Sequence, residues 1–117
     1  MPNPFAYAEL HTTDAGRAKE FYRKLFDWKL EDAPTPGGNY TLIHPGEGIE
    51  GGLLADEFAG WQVYVSVADL VAATRRAREL GAQVLEELRE VPGEGRFSVV
   101  RDPTGVRFAL WEKAVKK

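Results

Sequence analysis

The chain has 117 residues, of which 44% are hydrophobic and 28% charged, with a net charge of −3 and no cysteine. That suits one compact domain or two fused small modules with a real core, and it excludes a disulfide framework, a thiolate metal site and a cysteine nucleophile. No basic run or stripe points to nucleic acid or an anionic membrane as partner, and no apolar run approaches the roughly 20 residues of a membrane span.

Residues 1–4 (Met-Pro-Asn-Pro) lack the basic and apolar regions of a signal peptide, so a cytoplasmic protein is expected. Phe5 to Thr12 alternates as a strand: Phe5, Tyr7, Glu9 and His11 share one face, and Ala6, Ala8 and Leu10 the other. The small aliphatic face suits packing under a helix, and the polar and aromatic face must look to solvent or a cavity. Asp14, with Thr13 as competitor, is the expected N-cap of a helix. Ala15, Ala18, Tyr22, Leu25 and Phe26 recur at helical spacing, and the helix should stop near Asp27. Trp28 to Leu30 begins a short strand, and Ala33 to Gly38 reads as a turn because of its prolines and glycines. Asn39 to His44 is a strand that Pro45 to Gly48 turns into a hairpin with Ile49 to Leu54. Ala55 to Gly60 connects the two halves.

Gln62 to Val67 alternates again, with Gln62, Tyr64 and Ser66 opposite Val63, Val65 and Val67. Asp69 caps a second helix with Leu70, Ala73, Ala77 and Leu80 at core spacing and Gly81 in the position just past its end. Gln83 to Arg89 is a strand and residues 91–95 a loop. Arg96 to Arg101 and Val106 to Trp111 flank a type I turn at Asp102 to Gly105, and Glu112 to Lys117 reads as a charged tail. Each half therefore reads β-α-β-β-β, with modules at 1–57 and 58–117. Adding 55 aligns the strand and helix of the two halves (Asp14 with Asp69, Leu25 with Leu80), and adding 57 aligns the hairpins (Tyr40 with Phe97, Gly48 with Gly105).

Two segments carry a resemblance: Glu-Leu-His-Thr-Thr-Asp ending at Asp14 with the following Phe21-Tyr22 helix, and the run from Gly95 to Gly105 containing Gly-Arg-Phe and Asp-Pro-Thr-Gly. In these the chain resembles the vicinal oxygen chelate superfamily of glyoxalase I, bleomycin-resistance proteins and extradiol dioxygenases, most of all its glyoxalase-like branch. The resemblance implies an α+β fold of two βαβββ modules, whose curved mixed sheets form a cleft with the helices on the convex side. It also implies a homodimer.

In metal-using relatives the ligands come from the first and fourth strands of each module and are His, Gln or Glu. Carried onto this chain by position, the resemblance places the four slots at Tyr7, Gly52, Gln62 and Ala109. Glycine and alanine have no ligating side chain, neutral Tyr is a poor ligand, and Gln alone holds no divalent ion. No cofactor is therefore expected. Glu9 and His11 on the inward face, with Glu50 beside Gly52, offer a displaced site. Residues two apart on a strand stand about 7 Å from each other, however, and sharing a face does not make them converge. His11 reads as a surface or hydrogen-bonded histidine, and His44 likewise.

Glu9, mid-strand between Ala8 and Leu10, should be partly buried and so needs a partner such as Arg107 or Tyr64; it is also the candidate acid–base residue. Tyr7, Tyr64 and Trp111 should form aromatic walls, with Gln62 and Glu50 beside them and Arg107 placed for an anionic group. Trp28 and Trp61 are expected at module or subunit contacts. The expected function is a metal-free, glyoxalase-like binder of an aromatic or amphipathic small molecule. The alternatives are a divalent-metal-dependent lyase, isomerase or dioxygenase-type enzyme, or a module of a larger complex. Nucleic acid and membrane are not expected as partners.

Overall fold

The computed structural model describes residues 2–35 and 38–115. The elements in chain order are β1 (Phe5–Thr12), α1 (Ala15–Leu25), β2 (Lys29–Thr35), β3 (Gly38–His44), β4 (Gly51–Ala55), β5 (Gly60–Ser66), α2 (Leu70–Glu79), β6 (Gln83–Val91), β7 (Gly95–Arg101) and β8 (Arg107–Lys113). The class is α+β, and each half runs β-α-β-β-β as the sequence predicts. Contacts divide the chain into a first unit, residues 7–62, and a second made of residues 63–115 with the N-terminal residues 2–6.

In the first unit the strands lie in the order β2-β3-β4-β1. β1 runs parallel to β4, with Ala8 opposite Gly51, Glu9 opposite Gly52 and Leu10 opposite Leu53. β3 is antiparallel to β2 and β4. Alternation in β1 sends Leu10 toward α1, where it packs with Ile43 and Leu53 against Ala15, Ala18, Tyr22, Trp28 and Leu30. Asp14 caps α1 by accepting from the Arg17 N–H at 3.1 Å. The helical stripe is inside only as far as Tyr22. Leu25 closes the helix beyond the core and is 57% exposed, and Phe26 is exposed too. Residues 33–35, read as a turn, continue β2 instead, with Pro34 opposite Asn39. β2 is the edge strand of this unit, where a missing N–H donor does no harm. Gly38, the last residue of the expected turn, opens β3 opposite Thr35, and Pro36 and Gly37 lie outside the described residues.

In the second unit the order is β5-β8-β7-β6. β5 and β8 are parallel, with Tyr64 opposite Ala109, and β7 is antiparallel to β8 and β6. Leu70, Val100 and Leu110 form its core, packed by Val67, Ala73, Ala82, Val84 and Phe108. Asp69 caps α2 through the Ala72 N–H at 3.1 Å, and Gly81 follows with φ 100°, the left-handed conformation that ends helices. Leu80, expected inside, is the C-cap residue and is 61% exposed. Glu112 belongs to β8 rather than to a tail. Its carboxylate accepts from the Leu70 N–H at 2.8 Å and from Arg96 at 2.9 Å, and these bonds hold its pKa below the ordinary carboxylate value. The N-terminal segment is tied to this unit by the Ser66 N–H donating to the Pro4 carbonyl at 2.9 Å.

β6 is irregular, with register shifts between Val84 and Arg89 and Leu88 at φ 52°. The irregularity is held by fully buried Ser98, whose Oγ accepts from the Leu88 N–H at 3.1 Å and meets Thr74 Oγ1 at 2.9 Å. Ser98→Ala should therefore leave the Leu88 donor unmet and cost about 1–3 kcal/mol in chemical denaturation, without change in the m-value.

Candidate functional site

The polar face of β1 carries a connected set of ionisable side chains, all in the first unit. Glu9 is only 8% exposed and His11 only 5%. Tyr40, from β3, donates to Glu9 Oε2 at 2.6 Å, and His11 Nε2 meets Glu9 Oε1 at 2.8 Å. His11 Nδ1 meets Asp56 Oδ2 at 2.8 Å, from the segment after β4. The Phe58 ring stands edge-on to the imidazole at 5.5 Å. With a carboxylate on each ring nitrogen, both nitrogens are donors and the ring is the imidazolium. Burial alone would lower the His11 pKa, but the bonds to Glu9 and Asp56 outweigh it and hold it above the ordinary value.

Tyr7 extends the chain of bonds, its Oη 2.8 Å from Tyr40 Oη. Because the Tyr40 proton points at Glu9, Tyr7 is the donor in that contact. Burial pushes the Tyr7 phenol up to about 12, with the charges of Glu9 and Glu50 adding to the rise and the Tyr40 bond opposing it. Tyr40 is raised further still, first by burial and then by Glu9. Both phenols are therefore neutral near pH 7.

Strand register explains why these groups meet. Glu9 pairs with Gly52 across β1 and β4, and Gly52 pairs with Leu42 across β4 and β3. Tyr40 is two residues from Leu42, on the same face, and reaches over Gly52. A Cβ at position 52 would overlap the Tyr40 hydroxyl and come within 2.6 Å of Tyr7 Oη. The space where a side chain of residue 52 would begin is thus filled by two phenols.

The other sequence candidates have the following surroundings. Glu50 is mostly exposed, and its Oε2 meets His44 Nδ1 at 2.9 Å, while His44 Nε2 meets Glu31 at 3.0 Å. Gln62, in β5, is buried. In the second unit Tyr64 stands edge-on to Phe97 at 5.7 Å and to Trp111 at 6.5 Å. Arg107 opens β8 opposite Arg101. Glu9 is thus held by Tyr40 and His11. Sequence reasoning missed Tyr40 and Asp56. The alignment of Tyr40 with Phe97 marked an aromatic position in both halves, but Asp56 had no signal beyond being acidic.

These residues do not fit a divalent ion. Position 52 is closed by neutral phenols, Ala109 is fully buried with no donor, and His11 spends each nitrogen on a different carboxylate. Among the described residues no three His, Asp or Glu side chains converge as a metal site.

Three comparisons bear on this site. The family model of the glyoxalase/bleomycin resistance protein/dioxygenase superfamily matches residues 5–110. A Mycobacterium tuberculosis protein named as a glyoxylase, CFP32, is 32% identical over 117 residues, covering 91% of this chain and 44% of its own length. The anthracycline biosynthesis protein DnrV of Streptomyces peucetius is 28% identical over 133 residues, covering 97% of this chain and 48% of its own. The chain thus spans about half the length of these relatives. Among solved structures, methylmalonyl-CoA epimerase from M. tuberculosis superposes with a TM-score of 0.68 at 23% identity, covering 95% of this chain and 88% of that one; this likeness concerns the fold alone.

A histidine held above its unfolded pKa stabilises the fold fully below about pH 6.5, and that contribution is lost as pH rises through the folded value. Asp32, Glu87, Asp102 and Glu112 are held low and act in the opposite sense, losing their contribution as pH falls below about 4. The melting temperature should therefore peak between about pH 4.5 and 6.5, and His11→Gln should flatten the alkaline side in a calorimetric pH series while leaving the acid side in place.

Proposed function

The chain belongs to the glyoxalase/bleomycin resistance protein/dioxygenase superfamily, and from that premise we propose that it is a metal-free, glyoxalase-like small-molecule binding protein. The observation that carries the reading is the closure of position 52 by the Tyr7 and Tyr40 hydroxyls. A side chain able to grip a cation has no room there, and the groups that took the space are hydrogen-bonding phenols. Two neutral hydroxyls and aromatic rings suit a flat or amphipathic organic ligand, fixed in orientation by few polar contacts. One relative is named as an anthracycline biosynthesis protein, and that supports a small organic ligand.

Glu9 enters this reading as a positioning residue. Both its oxygens already accept, from Tyr40 and from His11, so it aims the Tyr40 hydroxyl rather than waiting for a substrate proton. The divalent-metal lyase, isomerase or dioxygenase reading requires donors that the Tyr7, Gly52, Gln62 and Ala109 positions do not supply. The partner set is a small molecule and a second copy of the chain, without nucleic acid or membrane, in the cytoplasm. Phe21 and Leu25, on the outer side of α1, are 58% and 57% exposed and support the second copy.

Purified protein should carry no stoichiometric metal, and manganese, cobalt, nickel or zinc should leave its melting point unchanged. An ion binding at 100 times its dissociation constant would instead add about 2.7 kcal/mol, and such a shift defeats the proposal. Mass spectrometry of the denatured protein should release an organic ligand. Its rebinding should weaken about tenfold in Tyr40→Phe, the loss of about one hydrogen bond. Sedimentation should show a dimer that Phe21→Glu and Leu25→Glu together convert to a monomer with an unchanged circular dichroism spectrum.

A further inference from the structure

The side-chain hydrogen bonds on the polar face of β1 run in one direction, and that direction decides what their outer end can offer. The Glu9 carboxylate has lone pairs and no proton, so Tyr40 must donate to its Oε2 across the 2.6 Å contact. The other Glu9 oxygen is met by His11 Nε2 at 2.8 Å, and the imidazolium has only protons to give. Asp56, on the second ring nitrogen at 2.8 Å, keeps that ring doubly protonated. A phenol has one proton and two lone pairs. With the Tyr40 proton committed to Glu9, the 2.8 Å contact between the two hydroxyls is filled by the Tyr7 proton. Both hydroxyl protons therefore point inward, from Tyr7 to Tyr40 and from Tyr40 to Glu9. The two oxygens fill the space over Gly52, and both tyrosines are only partly buried.

A hydroxyl whose proton is already given can only accept from a ligand. The charges around it act in the same sense. Burial first, and then the charges of Glu9 and Glu50, hold the Tyr7 phenol neutral against the opposing bond from Tyr40. The same two carboxylates act against any anion brought to the Tyr7 oxygen. A carbonyl, ether or carboxylate oxygen set there puts lone pair against lone pair, whereas an O–H or N–H continues the row of donors. We propose that the Tyr7–Tyr40 face selects a neutral aromatic ligand that donates a hydrogen bond, from a phenol, an aromatic amine or an amide N–H, to the Tyr7 oxygen. The second lone pair of that oxygen leaves room for the ligand beside any hydrogen bond it accepts within the protein. This inference rests on the small-molecule reading above and adds the polarity of its key contact.

The test is isothermal titration calorimetry of the full chain at neutral pH with three probes that share one ring system. They are 2-naphthol, which donates, 2-methoxynaphthalene, which only accepts, and the anion 2-naphthoate. Naphthol should bind about tenfold more tightly than the ether, the worth of about one hydrogen bond, and naphthoate should not bind. Glu9→Gln keeps the shape of the side chain and an oxygen for His11 but turns an N–H donor toward Tyr40. That reverses the row, so that Tyr40 donates to Tyr7 and Tyr7 donates outward. In this variant the ether should bind at least as tightly as naphthol. Tyr7→Phe, an independent check should Glu9→Gln fail to fold, should lower naphthol to the level of the ether and leave the ether unchanged, with the circular dichroism spectrum intact. The proposal alone is overturned if the ether or naphthoate binds the native chain as tightly as naphthol, or if folded Glu9→Gln keeps the naphthol preference. Absence of saturable binding by all three probes defeats the small-molecule reading as well.

Discussion

A carboxylate taken out of water must have its charge answered, and on β1 that carboxylate is Glu9. Its two oxygens recruit Tyr40 from β3 and His11 from its own strand. His11, kept cationic by that contact, in turn recruits Asp56 and so anchors the segment after β4. Tyr40, aimed at the carboxylate, offers its oxygen to Tyr7 and lies over Gly52. Three stretches of chain, residues 7–11, Tyr40 and residues 52–56, are tied to one buried negative charge, and the closure of position 52 goes with that arrangement.

The second unit fills the corresponding place by other means. Counting 55 onward from Glu9 gives Tyr64, and 57 onward from Tyr40 gives Phe97. Where the first pair share a short hydrogen bond, the second pair meet ring to ring at 5.7 Å, with Trp111 beside them. An apolar contact of this kind needs no counterion and sets no protonation state. The second unit has Arg–Glu pairs such as Arg96–Glu112, and the histidine–carboxylate bonds lie in the first unit. Within that unit the two histidines show how much solvent matters. Each lies between two carboxylates and each is raised above its ordinary pKa. Only the His11 trio is sheltered enough for its electrostatics to weigh in the stability of the fold.

The strand and helix order was legible because alternation and capping are local signals. Asp14, Asp69 and Gly81 each do what their chemistry predicts at a helix end. Pro34 misled because proline forbids a donor, not a strand, and only the position of β2 at an edge resolves the difference. Leu25 and Leu80 misled because periodicity marks a stripe but not how far along it the core extends. At the site, the vacancy of position 52 could be read from the glycine itself. What fills the vacancy could not, since it depends on which residue of β3 lies across from β4, and register is a product of the whole sheet. Asp56 was invisible for the same reason.

The overlap between residue 52 and Tyr40 also constrains how such a protein can change by single steps. A ligating side chain at 52 is blocked while Tyr40 is present. Trimming Tyr40 first removes a 2.6 Å donor from a sheltered carboxylate. Either order of mutation passes through a damaged intermediate, so the two positions are locked to one another and change only together.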